Sequence, residues 1–424
     1  MTYFERGSAT DRISPDEMRT ALHATLRALG SRRKVLLVPP DITRAHSQAG
    51  PLTRMAVEHY GEAVGGILPA IGTHEAMSEH EIEAMFGDLP RSLFRTHDFR
   101  TGVATLGEVP AEFVRSVSGG AVEYPVPIQV AQLMNEGGFD LILSIGQVVP
   151  HEVIGMANQT KNIFVGTGGV DSIHRTHFLG AAYGMERIMG RADTPVRRVL
   201  SYGADHFAKH LPIVYVLTVV GTDPSTGKLV VRGLYIGDDD ATFQKAAALS
   251  LEVNFILVPE PLRKVVVYLD PSEFKSTWLG NKSIYRTRMA IADGGELIVL
   301  APGVVKFGED ARIDGLIRKY GYVGTREVLE LVKKNADLSA SLSAAAHLMH
   351  GSSDGRFSIT YCPGGVSREE IERANFRYEP LAPMMQKYDP ATLRDGFQTM
   401  PDGEQIFYIS NPALGLWAHR DRMQ

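Results

Sequence analysis

The strongest constraint on the fold is a repeated local pattern: a short apolar run that ends in polar residues. KVLLVPP (34–40) is followed by Asp41-Ile42-Thr43-Arg44, GILPAIG (66–72) by Thr73-His74, and LILSIG (141–146), a few residues on, by Pro150-His151. Runs that are apolar at successive positions suit strands buried on both faces, as in a parallel sheet covered by helices. Open sheets of that kind bind ligands beyond the carboxyl ends of their strands. The expected fold is therefore α/β, and the three polar clusters are the first candidates for a site.

Between these runs the pattern turns helical. Ser78 and Glu81 have the spacing of a capping box. PIQVAQLMNEG (127–137) reads as a helix running into LILSIG. LPIVYVLTVVG and KLVVRGLYIGD, joined by the turn-rich TDPSTG, predict a hairpin. Asp238-Asp239-Asp240 precedes ATFQKAAALSLEV and reads as the acidic start of a helix rather than a metal site. EPLRKVVVYLD (260–270) opens a second α/β pattern. Its strands are KVVVYL, GELIVLAP and RFSITYCP; its helices are KSIYRTRMAIAD (282–293), ARIDGLIRKY, TREVLELVKKN and SREEIERAN. A chain of 424 residues exceeds one core, and the two prolines in VNFILVPEPL place the division at 1–258 and 259–424.

Composition narrows the chemistry. A net charge of −5 gives no global attraction for nucleic acid or an anionic membrane. With Cys362 as the only cysteine, neither an intrachain disulfide nor a cysteine-based zinc or iron–sulfur site is expected, which fits a reducing cytoplasm. The N-terminus lacks the apolar core of a signal peptide, and no apolar run is long enough to span a membrane. Any metal would rely on histidine or carboxylate ligands, or arrive inside an organic cofactor.

Several side chains carry the candidate chemistry. Asp41, Thr43 and Arg44 offer a fork for a carboxylate or phosphate, and equally fit a surface ion pair across a turn. His74 and His151 follow apolar runs, where an imidazole can serve as acid or base near neutral pH; a solvated histidine fits the same positions. Lys161 precedes Gly166-Thr167-Gly168-Gly169 and suits a phosphate or a covalent cofactor bond. His174 and His177 share one face if helical and are candidate metal ligands. Lys282 opens a helix, where a cation is out of place unless both bind an anion; an ordinary surface lysine is the plainer reading.

Taken together, these stretches resemble the lactate racemase family, enzymes that use the nickel-pincer nucleotide. Asp41-Ile42-Thr43-Arg44 resembles its D-x-T-R loop, Gly72-Thr73-His74 its G-x-H strand end, and Pro150-His151 its P-H, with Lys161 and His177 at the family's spacing. Trp278 to Lys282, followed by Asp293-Gly294-Gly295-Glu296-Leu297-Ile298, resembles the C-terminal active-site segment. The resemblance implies two α/β domains with the active site in the cleft between them, the first cofactor-binding and catalytic, the second closing over the substrate. It implies a cofactor, the Ni(II) pyridinium-3-thioamide-5-thiocarboxylic acid mononucleotide, covalently attached to Lys161, with Asp41 and Thr43 on the cofactor side and His177 as the nickel ligand. His74 and His151 would be the acid/base pair, Arg44 would bind the substrate carboxylate, and Lys282 would add positive charge. The implied reaction is reversible hydride transfer from C2 of a 2-hydroxy acid, by way of a 2-keto acid. Cofactor-maturation proteins are implied partners.

Two departures bear on the substrate. Asn158-Gln159-Thr160 stands where the family has S-G-G, and Trp278-Leu279 where lactate-type members have Tyr-Gln. With the divergent segments around Lys282, these favour C2 epimerisation of an aldonic acid of the D-gluconate/D-mannonate type, with Trp278 and Leu279 lining the substrate pocket and His206, Lys306 and Glu309 as polyol contacts. The alternatives are racemisation of a smaller acid such as lactate or malate, a histidine–zinc hydrolase built on His151, His174 and His177, and a non-catalytic sugar-acid binding protein.

Overall fold

The computed structural model describes residues 1–223 and 225–423, so Pro224 of the TDPSTG turn lies outside the described residues. Two compact units emerge: one holds Met1–Leu179 and Ile188–Asn254, the other Gly180–Arg187 and the chain from Phe255 onward. Both are α/β.

In chain order the first unit holds β1 (Thr2–Gly7), α1 (Pro15–Leu29), β2 (Val35–Val38), α2 (Ala49–Tyr60), β3 (Val64–Ile67), α3 (Glu79–Phe86), β4 (Val103–Val109), α4 (Ala111–Val117), β5 (Val126–Ala131), α5 (Gln132–Glu136) and β6 (Leu141–Gln147). Then come β7 (Pro150–His151), β8 (Gly155–Met156), α6 (Thr160–Phe164), α7 (Val170–Tyr183, whose end groups with the second unit), α8 (Pro195–Phe207), β9 (Ile213–Thr222), β10 (Leu229–Gly237) and α9 (Asp240–Asn254). Its main sheet has the order β1-β10-β9-β6-β2-β3. The strands β3, β2, β6 and β9 run parallel, while β10 runs antiparallel to both its neighbours, β9 and β1. Every residue of β2 and β6 is buried, as their unbroken apolar character requires. Leu37, Ile67, Leu143 and Val216 pack with Leu22 and Leu26 of α1 and Leu52 of α2 in one core. Because β2 lies between β3 and β6, the loops that leave these three strands emerge side by side.

Helix starts follow their local chemistry. Ser78 and Glu81 form the expected capping box at α3, and Ser14 and Glu17 form another at α1. Asp239 accepts from the Thr242 amide at 3.0 Å at the start of α9.

Two stretches read as helical differ. Residues 127–137 are half strand: Val126, Ile128 and Val130 point inward on β5, which pairs with β4, and only Gln132–Glu136 are helical. The period-two alternation of PIQVA, satisfied by a partner strand more than twenty residues upstream, wins over helix propensity. Residues 282–293 also divide. A short helix, Lys282–Tyr285, gives way to a turn closed by Ala290 N–H on Thr287 O (2.8 Å), and Ile291 already belongs to a strand. This stretch is buried on nearly all sides, so it has no amphipathic face to sustain a helix.

The second unit is a sheet of Leu262–Tyr268, Ile291–Ala301, Ser358–Pro363, Arg377–Tyr378 and Gln405–Ile409, all parallel, with Gly396–Thr399 antiparallel at one edge. Helices Ala311–Tyr320, Thr325–Lys334 and Arg368–Arg373 fall where their periodicity put them. Within this unit the buried Arg288 donates to Glu186 at 3.0 Å and Asp354 at 2.9 Å, which ties Gly180–Arg187 to it.

Candidate active site

The three adjacent loops at the carboxyl ends of β2, β3 and β6 carry Asp41 to Arg44, Gly72 to His74, and Pro150 with His151. Asp41 opens a 3₁₀ turn, Ile42–Ser47. Its buried carboxylate accepts from Thr43 Oγ1 and from His74 Nδ1, the latter at 2.6 Å. Burial alone would raise the Asp41 pKa, but the hydrogen bonds from His74 and Thr43 and the nearby charge of Lys161 outweigh it and hold the carboxylate ionised. The His74 loop is not a direct strand end, since β3 stops at Ile67. It is held instead by Gly72 N–H on Gly166 O (2.8 Å), with Gly72 at φ 58°, and by His74 N–H on Ile71 O (3.0 Å).

His151 is buried in the two-residue strand β7. Val153 N–H donates to its Nδ1 at 3.1 Å, so the neutral ring carries its proton on Nε2. His74 is the reverse: its Nδ1–H points at a carboxylate and Nε2 keeps a lone pair. The two imidazoles are thus presented differently, one with an acceptor and one with a donor. Burial, with the charges of Lys161 and Arg44, holds His151 well below its ordinary pKa.

Lys161 lies in the first turn of α6, which is docked on the sheet by Asn162 Nδ2 donating to Val38 O (3.1 Å) and Ser144 Oγ (3.0 Å). Desolvation first, then the Arg44 guanidinium, lowers the Lys161 pKa to about 8. An amine so shifted is a competent nucleophile near neutral pH. On α7, His177 donates Nδ1–H to Ile173 O at 2.7 Å, leaving Nε2 as a lone pair, and desolvation lowers its pKa to about 4. The ring is therefore neutral, the state in which imidazole ligates metals. Among the described residues no three His, Cys, Asp or Glu side chains come together in a metal-binding group, so His151, His174 and His177 do not form the zinc set of the hydrolase alternative.

The glycine loop after Lys161 is a packing device. A Cβ at Gly166 would stand 2.4 Å from Asn162 O, one at Gly168 1.9 Å from Phe164 O, and one at Gly169 2.2 Å from Gln129 Oε1. The glycines let the chain turn tightly against α6 and β5. Elsewhere in this unit, His206 stacks on Tyr202 at the exposed far end of α8.

The second unit holds Trp278, Leu279 and Lys282 together. Ser276, which also donates to Glu309, caps the short helix Thr277–Gly280, and Lys282 begins the next one. Lys306 Nζ donates to Glu309 O at 3.2 Å. The Trp278 indole stacks on His347 at 4.2 Å. His347 is neutral, its pKa lowered to about 3 by burial. Its Nε2 meets Tyr322 Oη (3.0 Å), which contacts Thr277 Oγ1 (2.9 Å), while Tyr361 donates to Asn281 Oδ1 (2.8 Å).

Sequence reading missed Arg197 and His347. Arg197 had a legible signal: with Val196, Val199, Leu200 and Gly203 it lies on the buried face of α8, where an arginine is out of place. His347 had none, because its partners, Trp278 with Asn281 and Tyr322, come from two stretches distant from it in the chain.

Fold and site together define an α/β protein with a lysine and two histidines gathered beyond the ends of parallel strands, and a third, metal-ready histidine on the following helix. Residues 18–187 match the family model of the lactate racemase N-terminal domain. The fold is similar over 99% of the chain to a Thermotoga maritima protein, at 24% identity and TM-score 0.79, covering 100% of that chain. It is similar over 98% of the chain to the lactate racemase apoprotein from Thermoanaerobacterium thermosaccharolyticum, at 15% identity and TM-score 0.69, covering 94% of that chain. No curated protein matches. No helix among the described residues is long and apolar enough to cross a membrane.

Proposed function

We propose that this chain is a nickel-pincer nucleotide-dependent C2 epimerase of an aldonic acid of the D-gluconate/D-mannonate type. The observation that carries the reading is the joint placement of a low-pKa Lys161, a neutral His177 with its Nε2 lone pair available, and the His74–Asp41 pair around the ends of adjacent parallel strands. These residues fit the cofactor: Lys161 supplies an acylable amine and His177 one metal donor. On this reading the remaining metal donors would belong to the organic group itself. When bound, that group supplies a reversible hydride acceptor for substrate C2.

The protein's own contribution follows from its geometry. Arg44 pairs with the substrate carboxylate, a match of guanidinium fork to planar anion. His74 takes the hydroxyl proton at Nε2, and Asp41 stabilises the imidazolium through Nδ1–H. His151 presents Nε2–H to the substrate oxygen; acting as a base, it must shift its proton to Nδ1 and give up the Val153 bond. Such asymmetry suits a reaction in which the oxygen is alternately deprotonated and held. Lys282, Trp278 and Leu279 stand in the second unit, and the family resemblance gives the lysine a charge role and the other two a substrate-contacting role. The substrate reading rests on the Trp278-Leu279 and Asn158-Gln159-Thr160 departures together with the divergent segments around Lys282. Maturation proteins would supply the cofactor.

Proton NMR of the loaded enzyme with D-gluconate is the test, and D-mannonate should accumulate to equilibrium. Turnover of lactate or malate without any aldonate would overturn the substrate assignment.

A further inference from the structure

Asn158-Gln159-Thr160, the stretch that departs from the family before Lys161, takes no part in the reaction as read above. Its backbone is unusual. Asn158 and Gln159 both have positive φ, 71° and 56°, and Gln159 has ψ −128°, a combination that glycine normally fills. Two successive non-glycine residues in such conformations persist only where the surroundings hold them.

Arg197 of α8 does so. It is buried, and its guanidinium stacks 4.2 Å over the Phe243 ring. Nη1 donates to Asn158 O (3.1 Å), Gln159 Oε1 (3.2 Å) and Thr160 Oγ1 (2.8 Å), and Nη2 donates to Met156 O (2.6 Å). Every one of these acceptors is neutral and belongs to the chain leading into Lys161. Gly146 also abuts this corner: a Cβ there would stand 2.7 Å from Asn158 Nδ2. Asn158 O also accepts from Lys161 N–H (3.3 Å), and Gln159 O accepts from Asn162 N–H (2.9 Å). The carbonyl that Arg197 grips is therefore the one that starts the helix carrying Lys161.

We propose that Arg197 is a positioning residue for Lys161: it clamps the Asn158–Gln159 corner in its left-handed course and so fixes the direction in which the ε-amine leaves α6. Glycines would tolerate this course unaided; here an arginine substitutes for that freedom. The functional consequence rests on the reading of Lys161 as cofactor anchor, but the clamp itself is a property of the unloaded chain.

The test combines hydrogen exchange with covalent loading in the full-length protein. In Arg197→Gln, exchange of the peptide spanning 157–165 in the unloaded protein should speed up at least about tenfold, while peptides of β9 stay unchanged. The fraction of Lys161 carrying adduct after maturation should fall in parallel. Adding Asn158→Gly and Gln159→Gly to Arg197→Gln should restore both, a rescue that loss of general packing would not allow. If Arg197→Gln does not fold, Gly146→Ala presses a methyl against Asn158 at the same corner and should give the same local acceleration. Unchanged exchange in the folded variant, or failure of the glycine pair to restore it, overturns the clamp. Absence of adduct in the wild-type protein, with the exchange results as expected, instead overturns the anchor reading and leaves the clamp standing.

Discussion

Asp41 gives His74 a direction. A histidine on an exposed loop would sample both tautomers, but a buried carboxylate 2.6 Å from Nδ1 fixes the proton there and leaves Nε2 to accept. The family resemblance implied a cofactor-side role for Asp41; the geometry adds its bond to His74. If the proposed reaction holds, His74→Ala should lower turnover by about 10²–10⁴-fold while nickel stays bound, measured by steady-state rates beside metal analysis. Loss of nickel would mean that ligand and base have been exchanged. For Lys161, intact-mass spectrometry after maturation should find the adduct in wild type and none in Lys161→Ala. An adduct of unchanged mass in the variant would sink the anchor assignment.

The elements around the site are short, and their ends matter more than their lengths. α6 spans only Thr160–Phe164, below what an isolated helix needs, so its stability comes from Asn162 bridging β2 and β6 and from the glycine turn that lets α7 return across it. Gly168 is the tightest point of that turn. A methyl there meets a backbone oxygen, which has no rotamer by which to move aside. Gly168→Ala should therefore destabilise the unloaded protein by about 2 kcal/mol or more in urea unfolding. An unchanged midpoint would show that the turn relaxes freely. The approach distances assign the glycines of this stretch to packing rather than to a phosphate cradle beside Lys161.

For the molecule as a whole, acid should be the sensitive direction. His347 and His151 are buried neutral, with pKa values lowered from 6.5 to about 3 for the first and well below 6.5 for the second. Below pH 6.5 the unfolded chain binds protons at these sites and the folded chain does not, so stability is full above that value and falls as pH drops toward 3. Carboxylates with lowered pKa values, such as Asp41, add their loss only below their ordinary 3.8. Urea midpoints of the unloaded protein should be lower at about pH 5 than at about pH 7.5, and equal midpoints would contradict the burial of these rings as neutral species.

Much of this was legible in the chain. The apolar runs at 35–38 and 141–147 had to be buried strands, because nothing in them can face water, and the capping boxes at Ser14 and Ser78 depend only on residues three apart. The polar residues that follow the runs flagged Asp41, Arg44, His74 and His151 as candidates, and the glycine-rich stretch after Lys161 flagged that lysine. What tertiary structure decided is whatever depends on a distant partner. The 127–137 segment became a strand because β4 was there to pair with it, and residues 286–290 turned because their surroundings bury them on nearly all sides. The tautomers of His74 and His151 were set by Asp41 and by Val153 N–H, and the course of Asn158-Gln159 is matched to an arginine nearly forty residues away. Periodicity and local capping are short-range and survive in the one-dimensional order of residues; proton placement, backbone strain and strand pairing are settled by groups that meet only after folding.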